Sequence, residues 1–394
     1  MAVQMDVLWS FLKLGCLSFG GPVAHLGYFE AEFVRKRQWL TDMEYADLVA
    51  LCQFLPGPAS SQVGFSIGYK RGGLSAAFLA WVGFTLPSAV LMILFAAGLS
   101  AWGEVGQRDG WLLGLKLAAV AVVANAIANM GRKLCPDRER LILAIVAAVF
   151  LVLVENPLWQ MGVILVGAIF GWLYWRPSMK QESANAPSSQ TTSGKGWVYL
   201  LLFGGLLCGL PLGIHVWDAP FWLEVGGRFY RAGALVFGGG HVVLPLLNSF
   251  TVSEGWIAQE TFLAGYSTAQ ALPGPLFAFS AFLGGSIDGL SGVFGGGLLA
   301  LVAIYLPSWL LVLGVIPYWE LLRTQKGAQA ALMGTNAVVV GLLMAAFYDP
   351  IWIVSVQSQE AFAMALGAFG VLRYGACTPW VLVIGCAALG VAVF

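Results

Sequence analysis

The chain has 394 residues, 59% of them hydrophobic and only 10% charged, with a mean hydropathy of +0.81. Soluble domains carry about a quarter charged residues, so this composition excludes a water-exposed surface, and the solvent must be lipid. Its 20 basic and 20 acidic residues cancel, which leaves no polybasic face for nucleic acid.

The first segment, MAVQMDVLWSFLKLGCLSFGG, has no cluster of positive charge ahead of its apolar run and is expected to be retained. Residues 41–69 are interrupted by Pro56-Gly57-Pro58, which predicts a hairpin that enters and leaves the bilayer on one side. Spans of about 20 apolar residues are expected at 74–101, 111–131, 197–216, 291–317, 329–347 and 378–394. Shorter candidates lie at 141–154, 158–175 and 351–371. The stretch 181–196, QESANAPSSQTTSGKG, reads as a polar linker between a first repeat, 1–180, and a second, 197–394. Six cysteines without CxxC spacing read as buried thiols.

The two halves match in order. Gly15-Cys-Leu-Ser-Phe19-Gly20-Gly21 corresponds to Gly233-Ala-Leu-Val-Phe237-Gly238-Gly239 at an offset of 218, and Trp39 to Trp256 at 217. Gln53-Phe-Leu-Pro56-Gly57-Pro58 corresponds to Gln270-Ala-Leu-Pro273-Gly274-Pro275, also at 217. Leu86-Pro87-Ser88 matches Leu306-Pro307-Ser308, and Gly114 matches Gly334, at 220. Ordered matches of this kind mark an internal duplication.

Charge gives the orientation. Arg35-Lys36-Arg37, Lys70-Arg71, Arg132-Lys133 with Arg138 and Arg140, and the segment from Arg176 to Lys195 share one side, the cytoplasmic one. In the second half, 248–255 and 286–289 hold no Lys or Arg, whereas Arg323 and Lys326 fall in the loop that corresponds to 103–108. Split at residue 180, the halves carry 14 basic against 11 acidic and 6 against 9 residues, so zero is the sum of +3 and −3. This is the pattern of inverted-topology repeats. Arg228 and Arg231 fit it only if 229–247 spans the bilayer. The expected fold class is therefore an all-α polytopic membrane protein of two inverted repeats with broken or re-entrant helices.

Breaks at membrane depth release backbone groups that only protein, water or ligand can satisfy. They occur here twice over, at Ser18-Phe19-Gly20-Gly21-Pro22 with Phe237-Gly238-Gly239-Gly240-His241, and at the two Pro-Gly-Pro motifs. A helix that starts after such a break presents free N–H groups and roughly half a positive charge, which suits an anion. Kinking or close helix packing is the alternative, and duplication favours the site. Backbone donors after Gly21, Gly239, Pro58 and Pro275 are the candidates, with Ser60 and Ser61 completing an oxyanion shell. Lys13 and Arg231, each seven residues before Gly20 and Gly238 respectively, form either a pseudo-two-fold clamp or a pair of snorkelling side chains. Lys116, opposite Asn336, is an ionisable residue inside a span and a candidate by that fact. His25 and His241 read first as satisfied core residues, with proton coupling as the alternative. Gln53 and Gln270 are expected to satisfy the broken backbone. Asn125 and Asn129 read as interhelical hydrogen bonds. Gly64-Phe-Ser66-Ile-Gly68 spells GxSxG without the strand-to-helix setting of a nucleophile. Neither an enzyme nor a cofactor or metal site is expected.

The segments SFGGPVAH (18–25), QFLPGPASSQVGFSIGY (53–69), FGGGHVVLPLL (237–247) and QALPGP (270–275) resemble the signature of the chromate ion transporter family in its long, two-domain form. The resemblance implies export of chromate, with sulfate as a related tetrahedral dianion, across a bacterial cytoplasmic membrane, driven by the electrochemical gradient. A transporter or passive channel for sulfate or another small anion is the alternative. The sequence leaves a homo-oligomer open.

Overall fold

The computed structural model describes residues 2–19, 21–101, 110–154, 158–175, 195–216, 219–237, 242–319, 322, 325–375 and 377–394. Gly20, Gly238, Gly239, Gly240, His241, Arg323 and residues 181–194 of the linker lie outside them. Among the described residues the chain is helical, with no strand.

The first half comprises α1 (Ala2–Leu17), α2 (Gly21–Phe29) with a π-helical continuation (Glu30–Lys36), α3 (Asp42–Phe54), α4 (Ala59–Ala101), α5 (Gly110–Leu134), α6 (Arg138–Leu153) and α7 (Leu158–Tyr174). After α8 (Gly196–Val216) come α9 (Phe221–Leu235), α10 (Val243–Thr251), α11 (Gln259–Ala271), a 3-10 turn (Leu276–Ala278) leading into α12 (Phe279–Ser286), and α13 (Gly292–Val315). The chain ends with α14 (Lys326–Ala346), a π-helical turn (Phe347–Trp352), α15 (Gln359–Tyr374) and α16 (Pro379–Val393). Five described helices, α4, α5, α8, α13 and α14, are long and apolar enough to cross a membrane. The protein is thus an all-α, multi-pass membrane protein. The expected span at 378–394 is the 15-residue α16. The candidate at 351–371 is interrupted, because Ser358 accepts the Ala361 N–H and starts a new helix.

Hairpins organise the centre. Thr41 closes a capping box with Glu44 and starts α3. Beyond Pro56-Gly57-Pro58 the first arm of α4, residues 59–71, runs back along α3. Lys70 Nζ lies 3.4 Å from Glu44 Oε1, and Ser66 Oγ lies 3.7 Å from Cys52 Sγ. The hairpin expected at 41–69 is therefore present, with Pro-Gly-Pro at its tip. At Gly72 and Gly73, the latter with φ +73°, the chain reverses again. A Cβ on Gly68 would meet the Ala76 carbonyl and Ala80 of the second arm. The second half repeats the arrangement. Phe262 of α11 packs on Phe279 of α12 with ring centres 5.2 Å apart, and Gly284 abuts Gly296 and Ala300 of α13.

The second arm of α4 serves as a ruler between the hairpins. Ala76 lies beside the base of hairpin one, Ser88 beside Gly274 at the tip of hairpin two, and Ala96 beside Gly285 near the base of hairpin two. From Ala76 to Ala96 the helix covers about 30 Å at 1.5 Å per residue, comparable to the hydrocarbon thickness of a bilayer. α13 runs the other way, from Gly284 at the base of hairpin two to Gly57 at the tip of hairpin one. Just past its end, Trp319 Nε1 donates to Asp47 Oδ1 of α3 at 2.8 Å. The bases thus lie at opposite ends of these helices, and the tips meet between them.

Outside this centre the halves exchange helices. α5 packs against α15 and α16, and α14 packs against α6 and α7. At these crossings Gly114 meets the Cys386 backbone and Gly334 the Gly167 backbone, the close approach that small residues allow in lipid. α8 lies at the edge on α9 and α13, and none of its apolar stretch is buried. Of the cysteines, Cys52, Cys135 and Cys386 are buried, but Cys16 and Cys208 are exposed. In a bilayer, an outward-facing thiol on an apolar helix meets lipid rather than protein.

Candidate functional site at the hairpin tips

Each tip is fixed by a bond to the other half. The Gly57 N–H donates to the Val236 carbonyl at 2.6 Å, and the Gly274 N–H donates to the Ser18 carbonyl at 3.0 Å. Ser18 and Val236 correspond at the offset of 218, as Gly57 and Gly274 do at 217, so the two bonds exchange equivalent partners. Both glycines have left-handed φ, +123° and +96°. A Cβ on Gly57 would lie 2.5 Å from Ser308 Oγ, and one on Gly274 would lie 2.9 Å from Ser88 Oγ. Those two serines are themselves an equivalent pair.

The carbonyl released at Pro56 is satisfied by Gln62, whose Nε2 donates to it at 2.8 Å. The expectation that Gln53 fills this role is not met, because Gln53 is exposed. On the second hairpin Gln270 is half-buried and its Nε2 has no partner. The first intrahelical bond of α4 runs from the Gln62 N–H to the Pro58 carbonyl at 2.9 Å, so the N–H groups of Ala59, Ser60 and Ser61 precede it.

Beside the tip of hairpin one lies a seam between the halves, lined by Ser61, Gln62 and Phe65 of α4 and by Tyr305, Ser308 and Trp309 of α13. It is closed, with no room for a water molecule. Ser61 Oγ and Tyr305 Oη are 3.5 Å apart. Trp309 stacks on Phe65 and meets Phe78 and Trp81 edge to face, with the Trp81 ring 4.7 Å away. Buried polar atoms without a protein partner gather here: Ser308 Oγ, Trp309 Nε1, Trp81 Nε1 and Gln62 Oε1. Each such orphan costs about 1–3 kcal/mol. Their concentration at one place makes the seam the candidate site. A second polar group flanks the other tip. His25 Nδ1 lies 3.3 Å from Ser60 Oγ, its ring stands edge-on to Phe84, and His25 Nε2 and Ser18 Oγ are buried without partners.

The fold brings together Ser18, His25, Pro56, Gly57, Pro58, Ser60, Ser61, Pro273, Gly274 and Pro275 of the residues singled out in the sequence. It does not bring the cations to the seam. Lys13 is exposed on α1, whose buried face is Val7, Ser10, Phe11, Leu14 and Gly15. Arg231 donates to Met161 Sδ at 3.2 Å and lies over the Phe250 ring. Lys116 is 6% exposed within α5. It faces α11, where the Ser267 hydroxyl donates to the Leu115 carbonyl and Glu260 supplies the opposite charge acting on it. Among the described residues no Lys, Arg, Asp or Glu lines the seam. Gln62 follows the first Pro-Gly-Pro with Ser60 and Ser61 and was legible there, whereas Trp81, Thr85, Tyr305 and Trp309 carried no such signal and Ser308 carried only the duplicated Leu-Pro-Ser.

A family model described as chromate transporter matches residues 5–172 and 223–391. α8 lies between the two matched stretches. The chromate transport protein of Cupriavidus metallidurans is 27% identical over 85% of this chain and 80% of its own length. A probable chromate transport protein of Synechococcus elongatus is 28% identical, covering 79% and 75%. An uncharacterized transporter of Methanocaldococcus jannaschii is 26% identical, covering 86% and 83%. No solved structure matches.

Proposed function

We propose, from the premise that this chain belongs to the chromate transporter family, that it is a secondary transporter exporting chromate across a bacterial cytoplasmic membrane. The observation that carries this reading is the reciprocal pair of tip bonds, Gly57 to Val236 and Gly274 to Ser18. Two hairpins whose bases lie about 30 Å apart and whose tips share a seam have the plan of inverted repeats built around a midplane site. In this reading the repeats are oppositely oriented, and one rocks against the other about the tips. The oxyanion is held at the seam by the N–H groups that open α4, with Ser61 and Ser308 as hydroxyl donors. Lys13 and Arg231 make no contact with it.

Energy comes from the membrane potential. A negative charge leaving a cytoplasm held at negative potential gains about 2.3 kcal/mol per 100 mV. The packed rings of Phe65, Tyr305 and Trp309 across the seam support alternating access over an open pore. Counterflow in proteoliposomes tests the proposal. Vesicles loaded with unlabelled chromate should take up labelled chromate transiently above its external concentration. Uptake that only relaxes to equilibrium would make the protein a passive channel, and the absence of any chromate flux would remove the assignment.

A further inference from the structure

We infer that Arg37 and Arg228 are positioning residues of the transport cycle: each clamps the outer end of the helix whose inner end holds a hairpin tip, and each must let go for its own face of the protein to open. This rests on the transport reading above and adds the contacts that close each face.

α1 and α9 are built as rods. A Cβ on Gly72, in the turn at the base of hairpin one, would lie 3.2 Å from Val3 at the start of α1, and one on Gly289, in the turn at the base of hairpin two, would lie 3.6 Å from Phe221 at the start of α9. Val3 and Phe221 correspond at the offset of 218, and Gly72 and Gly289 at 217. Beyond the inner ends of the same helices, the Ser18 and Val236 carbonyls accept from Gly274 and Gly57. Each rod therefore runs from the base of its own hairpin to the tip of the other. A shift at its outer end reaches the tips through packed backbone.

At each outer end an arginine ties the rod to the turn that leads into its hairpin. On the first, Arg37 Nη1 lies 2.6 Å from Asp6 Oδ1 of α1, and Arg37 Nε donates to Glu32 Oε1 at 2.7 Å. The guanidinium stands 5.2 Å from the centre of the Trp39 ring. On the second, Arg228 of α9 bridges Glu224 at 2.7 Å and Glu254 at 2.5 Å, and stands 4.8 Å from the centre of the Trp256 ring. Lys36 also reaches Glu32, and Arg71 also lies over Trp39. Among the described residues, however, Asp6 pairs only with Arg37, and Glu224 and Glu254 only with Arg228.

The two latches are equivalent in place and different in composition. Asp6 corresponds to Glu224 at 218, and Arg37 to Glu254 and Trp39 to Trp256 at 217. The acid on the rod and the tryptophan in the turn recur, but the turn residue has changed sign. Two facing acids would repel, and the missing cation comes from the rod itself, where Arg228 stands at the position of Ser10. One connection made from two different residue sets marks a constraint on the connection. The latches are also able to open: apart from Glu32, every paired side chain keeps more than a fifth of its surface exposed, and such pairs are individually weak. With both latches made, the seam is closed. Because the bases lie at opposite ends of α4 and α13, rocking that opens one face releases one latch and leaves the other intact.

The test is sided labelling of Ser61→Cys, a reporter on the seam, by a membrane-impermeant maleimide in right-side-out and inside-out vesicles, with Cys16, Cys208 and Cys377 replaced by serine. Arg37→Ala should raise the labelling rate about two- to fivefold from the face of hairpin one and leave the other face unchanged. Arg228→Ala should do the same from the face of hairpin two. Asp6→Glu, the acid of the second half, should behave as the reporter alone. Arg228→Ser and Glu254→Arg should each open the face of hairpin two singly, and together they should restore the closed rate, because the pair rebuilds the first half's latch. Rates unchanged in every variant, rates raised equally from both faces, or effects that add in the double variant would overturn the inference. If the α9 variants do not fold, Arg37→Ala against Asp6→Glu still decides. Chromate counterflow by the parent with labelling that does not respond defeats this inference alone, whereas no oxyanion counterflow by the parent defeats the transport reading.

Discussion

Gly57 donates its backbone N–H to the carbonyl of Val236 at 2.6 Å, and Gly274 does the same to Ser18, the residue equivalent to Val236. Each tip is thereby anchored to the broken segment of the opposite half, so a tip cannot move without disturbing the site. An added methyl tests this link. Gly57→Ala places a Cβ against Ser308 Oγ and Gln62 Nε2, at 2.5 and 2.7 Å and a φ of +123°, while Gly274→Ala has a φ of +96° and places its Cβ less tightly, 2.9 Å from Ser88 Oγ and 3.3 Å from the Phe84 carbonyl. Both should lower stability in detergent by about 1–3 kcal/mol, with Gly57→Ala the worse in chromate counterflow. Thermal melts together with counterflow check it, and equal, undiminished transport by both variants would disconnect the tips from function.

The two helices with an internal proline rest on a second matched pair. Gly15 of α1 abuts the Gly83 and Phe84 carbonyls of α4, and Gly233 of α9 abuts the Ile304 carbonyl of α13, close to one turn before Pro87 and Pro307. Proline frees a carbonyl in the preceding turn, and a glycine opposite lets the neighbouring backbone close over it. Gly233→Ala should destabilise by about 1–3 kcal/mol through overpacking. Gly204→Ala on α8, where a Cβ meets open space, should be neutral or slightly stabilising. Unfolding midpoints of the two variants measured side by side decide it.

Much of this architecture was legible because duplication repeats the same backbone requirement. Pro56-Gly57-Pro58 and Pro273-Gly274-Pro275 marked both tips. The residues just beyond them differ, Ser60-Ser61-Gln62 in one half and Phe277-Ala278-Phe279 in the other, and that difference is the division between a polar and an aromatic side of the centre. The structure sets the singled-out cations apart from the seam. The buried positions 7, 10, 11, 14 and 15 of α1 keep a helical period, and Lys13 falls off that stripe. The opposite wall was hidden for another reason: Tyr305 and Trp309 sit in a continuous apolar run, where periodicity cannot say which rings carry an unpartnered donor.

At the base of hairpin one, the Thr41 N–H donates to Glu44 Oε2 at 2.9 Å, and this bond is the main reason the Glu44 carboxyl titrates below the ordinary carboxylate range. A depressed folded value means the stabilisation is present above the unfolded pKa and is lost as pH falls through the folded one. Glu44 is half exposed, so the effect is local. The protection factors of the first α3 amides, corrected for the intrinsic pH dependence of exchange, should fall as pH drops through the depressed Glu44 value and should stay level with pH in Glu44→Gln. Thr41→Ala should open the same amides at neutral pH, at a cost of about 1 kcal/mol. Protection that persists unchanged to low pH would show that the cap does not hold the base.

The last prediction separates charge from geometry. Lys13 is exposed and Arg231 is occupied by Met161 and Phe250, whereas Ser308 lines the seam with an unpartnered hydroxyl. Removing a cation distant from the seam, exposed like Lys13 or held elsewhere like Arg231, should change KM by about threefold or less at physiological salt. Removing a buried donor to an anion costs about 1.5–3 kcal/mol, roughly ten- to a hundredfold. Lys13→Ala and Arg231→Ala should therefore transport chromate with near-parental KM, and Ser308→Ala should not. Vesicle uptake at equal protein density gives all three values. If the two cation variants lost transport while Ser308→Ala kept it, the site would belong to a charged clamp outside the seam, and the neutral donors would be structural.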